Sequence, residues 1–367
     1  MKLPKISYFL HDNGACGIYR LANPMTAIEK SKKAQVMWYE KGDDADKIAL
    51  CLEADLMVIP RPYKENWINA FKQLQNGGKK IVIDFDDDMF DINPTNPAYS
   101  EFGTKMVTVE VGGKKYTPWI DGENINFKEN QKKLDICKRA CEMADMITVT
   151  TPLLADVYKQ FNNNVVDLPN CLDMQLWERL PIENDGIRLI WAGGGSHFLD
   201  WLLLKDVLPV IMAKYDNVKF IMFGSTFPTM LDSLPKDRVE HHEWVHTRAY
   251  PYKMAILNPD IALIPLQSNH FNSCKSTIKW VEMSALGVPC VTSFVSPYVD
   301  YLPENAAAFA ENETDAWIEA ISALIENSIL MSKISGEAER YVRVEYDINS
   351  QYIKWFDAYE PLLKEAA

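Results

Sequence analysis

Short apolar runs alternate with longer amphipathic stretches along most of the chain, a pattern typical of strand–helix units around a mostly parallel sheet. The predicted strands of the first half are Ile6–Leu10, Gln35–Trp38, Asp55–Ile59, Lys80–Phe85, Met146–Val149 and Val165–Leu168. The pattern then restarts, with predicted strands at Arg188–Trp191, Lys219–Phe223, Asp260–Pro265 and Pro289–Thr292. Between them, the clearest predicted helices are Asn66–Gln75 and Phe127–Met143.

A polar segment from Leu180 to Gly186, which contains Pro181, separates the two groups of strands as a linker would. The chain has 367 residues and exceeds the roughly 250–300 at which a single core stops growing. We therefore predict an α/β protein with two Rossmann-like domains in tandem, residues 1–182 and 183–345, that face each other across a cleft.

One insertion interrupts the first domain. Alternating β-forming residues around Gly112-Gly113 predict a β-hairpin near residues 105–120. The surrounding stretch of about 35 residues is too long for a plain connection, so we expect this elaboration to face a substrate.

Composition narrows the classes of partner. Lys and Arg number 38 and Asp and Glu number 51, so the net charge of −13 disfavours nucleic acid as a partner, although one local basic groove stays open. The seven cysteines form no C-x-x-C pair, which indicates reduced thiols and not a zinc site. No signal peptide or long apolar run is visible. We expect a cytoplasmic protein with no metal ion and no tightly bound cofactor.

A glycine-rich loop follows the first strand of the second domain. Gly193 and Gly194 would let the backbone approach a ligand, and a helix beginning there would offer N–H groups to a phosphate. Ser196 as a helix cap in a tight turn is an equally good interpretation. His197, beside the loop, is a candidate for the same site.

A second glycine turn follows the first predicted strand of the chain. Gly14 and Gly17 would face the other loop across the cleft, because ligands bind outside the carboxyl ends of parallel strands. Arg20 could pair there with a phosphate or carboxylate, or with a surface glutamate instead. His11, between strand and turn, is the strongest histidine candidate, and Tyr19 lies in the same stretch.

Three charged residues of the second domain share one face of a predicted helix. Lys275, Lys279 and Glu282 are spaced three or four apart, and the opposite face is apolar. Such spacing is also common on exposed helices, but this helix leads into a buried strand, so we expect the charges to point into the cleft. A histidine-rich segment, His241 to His246, lacks the spacing of a zinc helix and is interpreted as a turn that could meet a nucleotide base.

At this point the sequence resembles a known family. Glu282-x-x-Ala285-x-Gly287-x-Pro289, followed by an aliphatic strand, resembles the donor-site motif of retaining family-four-type glycosyltransferases with the GT-B fold. Further segments resemble that family in the same order: residues 144–151, 168–173, 218–224, 261–266 and the aromatic closing stretch 346–363.

The resemblance implies a hexosyl- or pentosyltransferase that moves a sugar from a nucleoside diphosphate to an acceptor hydroxyl. Residues 183–345 would bind the donor and residues 1–182 the acceptor, with a helix over 346–367 that packs back on the first domain. The residues assigned to the donor are Gly14, Gly17, Arg20, Gly193, Gly194, Ser196, His197, Lys275, Lys279 and Glu282.

Two departures from the family leave the stereochemistry and the donor open. The family usually has a second acid eight residues before the glutamate, where this chain has Cys274. The usual Arg/Lys pair after the first strand of the donor domain is not evident, so Lys275 and Lys279 would neutralise the leaving diphosphate instead.

Four aspartates, Asp84, Asp86, Asp87 and Asp88, end a strand that reads as buried. Like charges so close repel, so such a cluster needs a cation, hydroxyl donors or water. We rank an acceptor site first, a metal site with Asp84 and Asp86 as a D-x-D second, and simple turn caps third. In the first interpretation Asp86 and Asp87, with His11, are catalytic, and Asp84 and Asp88, with Tyr19 and Trp119, contact the acceptor.

The acceptor could be a glycan, a polymer, a protein or a modified nucleic-acid base, the last being disfavoured by the net charge. Two other functions share these features. A nucleotide-sugar binding module without turnover would explain Cys274. A GT-B nucleotide-sugar epimerase would convert the donor with no acceptor, and the long hairpin insertion argues mildly against it.

Overall fold

The computed structural model describes residues 3–10, 14–40, 45–94, 96–111, 114–116, 125–225 and 231–366. These residues form two six-stranded sheets, each entirely parallel, and one two-stranded hairpin. No helix in these ranges is long and apolar enough to cross a membrane.

The first sheet has the order β2-β1-β3-β4-β7-β8, and the hairpin β5–β6 stands apart from it. Every strand predicted in the first half is present. The strands are β1 (Lys5–Leu10), β2 (Gln35–Glu40), β3 (Leu56–Pro60), β4 (Lys80–Phe85), β5 (Val109–Val111), β6 (Lys114–Tyr116), β7 (Met146–Val149) and β8 (Val165–Asp167). The helices of this half are a π-helix at Gly17–Ala22, α1 (Asn23–Ser31), α2 (Ala45–Leu52), α3 (Glu65–Asn76), α4 (Tyr99–Phe102), α5 (Phe127–Met143) and α6 (Pro152–Tyr158).

The central strands read as continuous apolar runs because helices cover both faces of the sheet. All of β3 is buried, as is β4 from Ile81 onward. On one face Ile6, Tyr8 and Val82 pack against α1 and the C-terminal helix. On the other face the strands pack against α3, α5 and α6.

The second sheet has the order β11-β10-β9-β12-β13-β14. Its strands are β9 (Ile187–Gly193), β10 (Val218–Gly224), β11 (Val239–His242), β12 (Ile261–Ile264), β13 (Cys290–Ser293) and β14 (Ala308–Ala310). The two edge strands β11 and β14 were not predicted. The turn expected at His241 and His242 is wrong, because this polar segment pairs with β10, with His241 opposite Met222. Its edge position tolerates polar residues that a central strand would not.

The helices of the second half complete the layers. They are α7 (Phe198–Leu202), α8 (Val207–Lys214), α9 (Tyr250–Leu257), α10 (His270–Ser273), α11 (Ile278–Ala285), α12 (Tyr298–Tyr301), α13 (Thr314–Glu326), α14 (Ser328–Glu345) and α15 (Ile348–Ala366). Short 3-10 helices lie at Met174–Leu176, Gly195–His197, Lys236–Arg238 and Thr247–Ala249.

The chain crosses between the sheets twice, and the two crossings are hydrogen-bonded to each other. Leu172 N donates to Tyr346 O at 2.9 Å, and Ile348 N donates to Leu172 O at 2.8 Å. Beyond this point α15 buries Trp355 and Tyr359 against the first sheet. Both crossings therefore meet at one hinge.

Candidate active site

A cavity of about 520 Å³ lies where the carboxyl ends of the two sheets face each other, within the size range of small-ligand sites. It is lined from both sides of the cleft. The sequence-predicted residues that line it are Gly14, Tyr19, Asp86, Asp87, Gly193, Gly194, Ser196, His197, Lys275, Lys279 and Glu282.

The loop after β9 brings the backbone of Gly193 close to the ammonium of Lys279. A Cβ on Gly193 would lie 2.7 Å from the Trp191 ring and 3.2 Å from Lys279 Nζ, so a side chain does not fit there. Gly194 has open space at the corresponding point. The backbone of this loop is thereby accessible from the cavity.

The helix expected after this loop is interrupted. A 3-10 turn at Gly195–His197 is followed by the five-residue α7, not by a helix to Tyr215. A macrodipole site for phosphate is therefore not available at this position, and the loop N–H groups remain as donors. The alternative role of Ser196 as a helix cap is also wrong, because the 3-10 turn and α7 have Gly194 and His197 as N-caps and no side-chain cap bond.

Two lysines bring positive charge to the same wall. Burial lowers the pKa of Lys279 to about 8, and its ammonium has no hydrogen bond or ion pair with any residue that the structure describes. Burial opposes the charge of Lys275 as well, but the attraction of Asp87, with Nζ–Oδ1 at 3.3 Å, raises the pKa of Lys275. A diphosphate entering here would meet both cations.

Glu282, on α11, lines the same cavity. Its carboxylate is 6% exposed and accepts the hydroxyl of Tyr19 at 2.7 Å and that of Tyr250 at 3.2 Å. Burial raises the pKa of Glu282 to about 7, although both hydrogen bonds and the charge of Lys279 lower it. A buried carboxylate that already accepts two hydroxyls is suited to accept those of a ribose. Tyr19, which was expected to contact the acceptor, is hydrogen-bonded to Glu282 instead.

His197 is held by a buried carboxylate. Its Nδ1 lies 2.8 Å from Asp200 Oδ2, and Asp200 also accepts the backbone N–H of Gln267 at 2.7 Å. Burial lowers the pKa of His197 to about 4, so the imidazole is neutral at physiological pH. It lines the cavity as a hydrogen-bonding group and not as a cation.

Arg20 and Asp84 do not reach the cavity, and the ligand contacts expected for them are wrong. Their side chains are 2% and 3% exposed and form a two-point pair, Nε–Oδ1 at 3.0 Å and Nη2–Oδ2 at 2.7 Å. Arg20 Nη1 donates to Leu168 O, and Thr148 donates to Asp84 at 2.6 Å. Gly17, at the start of the π-helix that carries Arg20, is buried and lines a much smaller pocket behind the cavity.

Asp88 also turns away from the cavity. It is 2% exposed and accepts the N–H of Phe90 at 2.9 Å, the cap role that the sequence analysis ranked third. An acceptor contact through Asp88 is therefore wrong.

Asp86 and Asp87 are the two aspartates of the run that line the cavity. Burial raises the pKa of Asp86, but Arg61, at 3.4 Å, and a hydrogen bond from Cys16 together hold it below its ordinary value. Asp86 is thus a fixed negative charge. Asp87 is 30% exposed and paired with Lys275.

The position of the missing family acid is occupied by a buried residue. Cys274 is 1% exposed, is absent from the cavity lining and packs with the core of the first domain. A carboxylate from the second domain is therefore lacking at this point.

His11 and Trp119 lie outside the described residues, so their roles stay predictions. Conversely, the cavity wall includes Trp244 and Tyr298, which the sequence analysis did not single out. Trp244 is 53% exposed and stands edge-on to Phe223 at 5.2 Å, a platform on which a nucleobase could stack. Trp244 lies within the segment His241–His246 that was expected to be able to meet a nucleotide base, but the histidines and not the tryptophan drew attention to it.

The two domains and the cavity between their strand ends define a GT-B protein. The family model described as Glycosyl transferases group 1 matches residues 186–327, within the second domain. No curated protein sequence matches the chain. The family match is thus confined to part of the second domain, while the GT-B fold extends over both domains.

Solved structures are similar over nearly the whole chain. The sucrose-phosphate synthase of Thermosynechococcus elongatus is 12% identical, with 98% of this chain and 99% of that chain covered and a TM-score of 0.64. Anabaena HepE in complex with UDP is 11% identical, with 97% and 100% covered and a TM-score of 0.64. A protein from Listeria monocytogenes, provisionally assigned as a UDP-N-acetylglucosamine 2-epimerase, is 10% identical, with 100% and 98% covered and a TM-score of 0.59. At these identities the likeness establishes the fold.

Proposed function

We propose that the protein transfers a hexosyl or pentosyl group from a nucleoside-diphosphate sugar to an acceptor hydroxyl, without a catalytic metal. One observation carries the proposal. The glycine loop, the ammonium of Lys279 beside Gly193 and the buried carboxylate of Glu282 line the same cavity, all from the second domain.

In this proposal Glu282 accepts the ribose hydroxyls, and Gly193, Gly194, Lys275 and Lys279 hold the diphosphate. The two ammonium groups take the role that a divalent cation has in metal-dependent enzymes, since they neutralise the charge that develops as the glycosidic bond breaks. HepE was solved with UDP and with UDP-glucose, which makes uridine diphosphate sugars the first donors to test.

The sugar would lie against Asp86 and Asp87, the only aspartates of the run that line the cavity. Asp87 orients or deprotonates the acceptor hydroxyl, while Asp86, held by Arg61, supplies a fixed charge beside it. The acceptor is a carbohydrate or another hydroxyl compound, and the net charge of −13 disfavours nucleic acid. The absence of a tightly bound cofactor and the cytoplasmic location stay predictions.

A binding module without turnover is the second candidate, and buried Cys274 favours it because the second domain then lacks a carboxylate beside the donor sugar. An epimerase is the third, in view of the Listeria protein of the same fold. Incubation of the donor alone separates them. A transferase hydrolyses it slowly, a binding module leaves it intact, and an epimerase releases or accumulates the epimer.

The first test is a thermal-shift panel of nucleoside diphosphates and their sugars, in EDTA and with manganese. A ligand at 100–1,000 times its Kd stabilises by about 3–4 kcal/mol. We expect a shift from one nucleotide that persists in EDTA, is lost in Glu282→Gln and is kept in the exposed control Glu304→Gln. A shift that requires manganese and is lost in Asp86→Asn would overturn the metal-independent mechanism.

A further inference from the structure

A short segment of the second domain reaches into the first. Phe271, on α10, and Cys274, just after it, belong to the core cluster that covers one face of the first sheet. Thr151 of the first domain donates to the backbone oxygen of Cys274 at 2.9 Å.

Three potential metal ligands converge at this contact. One atom each of Asp88, His270 and Cys274 lies within 4.8 Å of the other two, and His270 Nε2 is 3.7 Å from Asp88 Oδ2. Ligands around a tetrahedral zinc ion are about 3.3–3.8 Å apart, from bond lengths of 2.0–2.3 Å. A contraction of at most about 1.5 Å would therefore close the set around one ion.

The surroundings favour a cation. Cys274 and Asp88 are both buried, and the carboxylates of Asp87 and Asp91 lie close to the Cys274 thiol. The nearest ammonium, that of Lys275, is directed to Asp87 and lies over the Phe271 ring. A divalent ion would supply the positive charge that these two buried ligands lack.

We propose that Asp88, His270 and Cys274 bind a zinc ion that ties the two domains together. Thiolate and imidazole ligands select zinc over magnesium or calcium. As zinc binds, it replaces the thiol proton, which leaves to solvent, and the neutral imidazole uses its Nε2 lone pair. His270 is 62% exposed, so the fourth position opens to solvent and takes water.

The ion would act on the active site through the chain neighbours of its ligands. Asp87 precedes Asp88 and Lys275 follows Cys274, and both line the cavity, whereas none of the three ligands does. Zinc would thus fix the spacing of the Asp87–Lys275 pair and hold the cleft closed. This inference is independent of the proposed glycosyl transfer, because zinc content is measured without nucleotide.

The test is metal analysis of the full chain, purified without a polyhistidine tag or chelator and dialysed against metal-free buffer. We expect about one zinc per chain and, after exchange with cobalt, a thiolate-to-cobalt charge-transfer absorption. His270→Ala changes a largely exposed side chain and should fold. It should weaken zinc affinity at least about tenfold, as should Cys274→Ser. Cys51→Ser, at a buried cysteine of α2, is the matched control and should keep the metal.

Zinc content in the unaltered protein no higher than in His270→Ala would overturn the proposal. A cobalt spectrum unchanged by Cys274→Ser would do the same, because it would locate the metal elsewhere. Loss of zinc binding together with slower donor hydrolysis would support both the site and its effect on the Asp87–Lys275 pair, whereas unchanged hydrolysis would overturn that effect.

Discussion

The hydroxyl of Tyr19 donates a 2.7 Å hydrogen bond to Glu282 across the interdomain cleft, between residues 263 positions apart in the chain. Tyr19 comes from the π-helix after β1, and Glu282 from α11 of the second domain. The bond therefore occupies the carboxylate that the proposed donor would use. In the proposed function, the ribose hydroxyls would compete with this phenol for the oxygens of Glu282.

Tyr19→Phe should consequently strengthen nucleotide binding while weakening the fold. The ligand no longer competes with the phenol, and one buried hydrogen bond contributes about 0.5–1.5 kcal/mol, equivalent to roughly 2–13-fold in Kd. We expect a lower Kd by calorimetry and a lower Tm without ligand. Tyr252→Phe, at an exposed position, is the control. Weaker binding in Tyr19→Phe would show that the phenol contacts the ligand.

Glu282 should make stability depend on pH. Its pKa of about 7 in the folded protein lies above the ordinary 4.5, so the folded state holds a proton that the unfolded state has released between these values. Stability from this group is present below about pH 4.5 and is lost as the pH rises to 7, by at most about 3 kcal/mol. Urea unfolding from pH 5 to 8 should show this loss in the unaltered protein and not in Glu282→Gln. Equal slopes in the two proteins would contradict the raised pKa.

Lys279→Met should separate stability from phosphate binding. The ammonium is buried over the Trp191 ring without a hydrogen bond or ion pair among the described residues, so its removal should leave the Tm unchanged or higher. Affinity for a nucleoside diphosphate should fall by about 10–100-fold, because a charge-assisted hydrogen bond contributes about 1.5–3 kcal/mol. Affinity for the nucleoside without phosphate should not change, and Lys333→Met should change neither. An equal loss for both ligands would locate Lys279 away from the phosphates.

Arg20→Met should destabilise the first domain by about 3–5 kcal/mol, because it leaves Asp84 buried without its cation. The fraction that stays folded should bind nucleotide with unchanged Kd, since neither residue lines the cavity. Urea unfolding and calorimetry below the transition measure the two quantities, with Arg340→Met as the exposed control. A stable variant with weakened binding would restore Arg20 to the donor site.

The sheets were predictable because their central strands are buried on both faces and read as apolar runs, as at Leu56–Pro60. The edge strand Val239–His242 was not, since pairing along one side leaves its polar residues without a periodic signal. Spacing also placed Lys279 and Glu282 on one side of α11 facing the cavity, but Lys275, which was predicted to share that helix face, precedes the helix and reaches the cavity from the preceding loop.

The partners of the aspartates in the run Asp84 to Asp88 could not be predicted from the sequence. Asp84 and Asp86 are two positions apart, so strand alternation alone would put both side chains on the same side. The fold nevertheless pairs Asp84 with Arg20 and Asp86 with Arg61, and no local pattern predicts this difference. Likewise, Cys274 was identified as a departure from the family motif, yet its insertion into the other domain depends on contacts that no local pattern encodes.

The last prediction distinguishes the two aspartates that line the cavity. Asp87→Asn should lower kcat for transfer by about 10²–10⁴-fold if this carboxylate acts on the acceptor hydroxyl, with little change in nucleotide affinity. Asp86→Asn should affect KM for the acceptor more than kcat. Arg61 and Cys16 lower the pKa of the Asp86 carboxylate, so it stays charged and is a poor proton acceptor. Asp357→Asn, on the surface of α15, serves as the control. Steady-state transfer with the identified donor gives both constants. A kcat that falls in Asp86→Asn and stays normal in Asp87→Asn would reverse the two roles, since the group that moves the proton must be the one whose loss slows the chemical step.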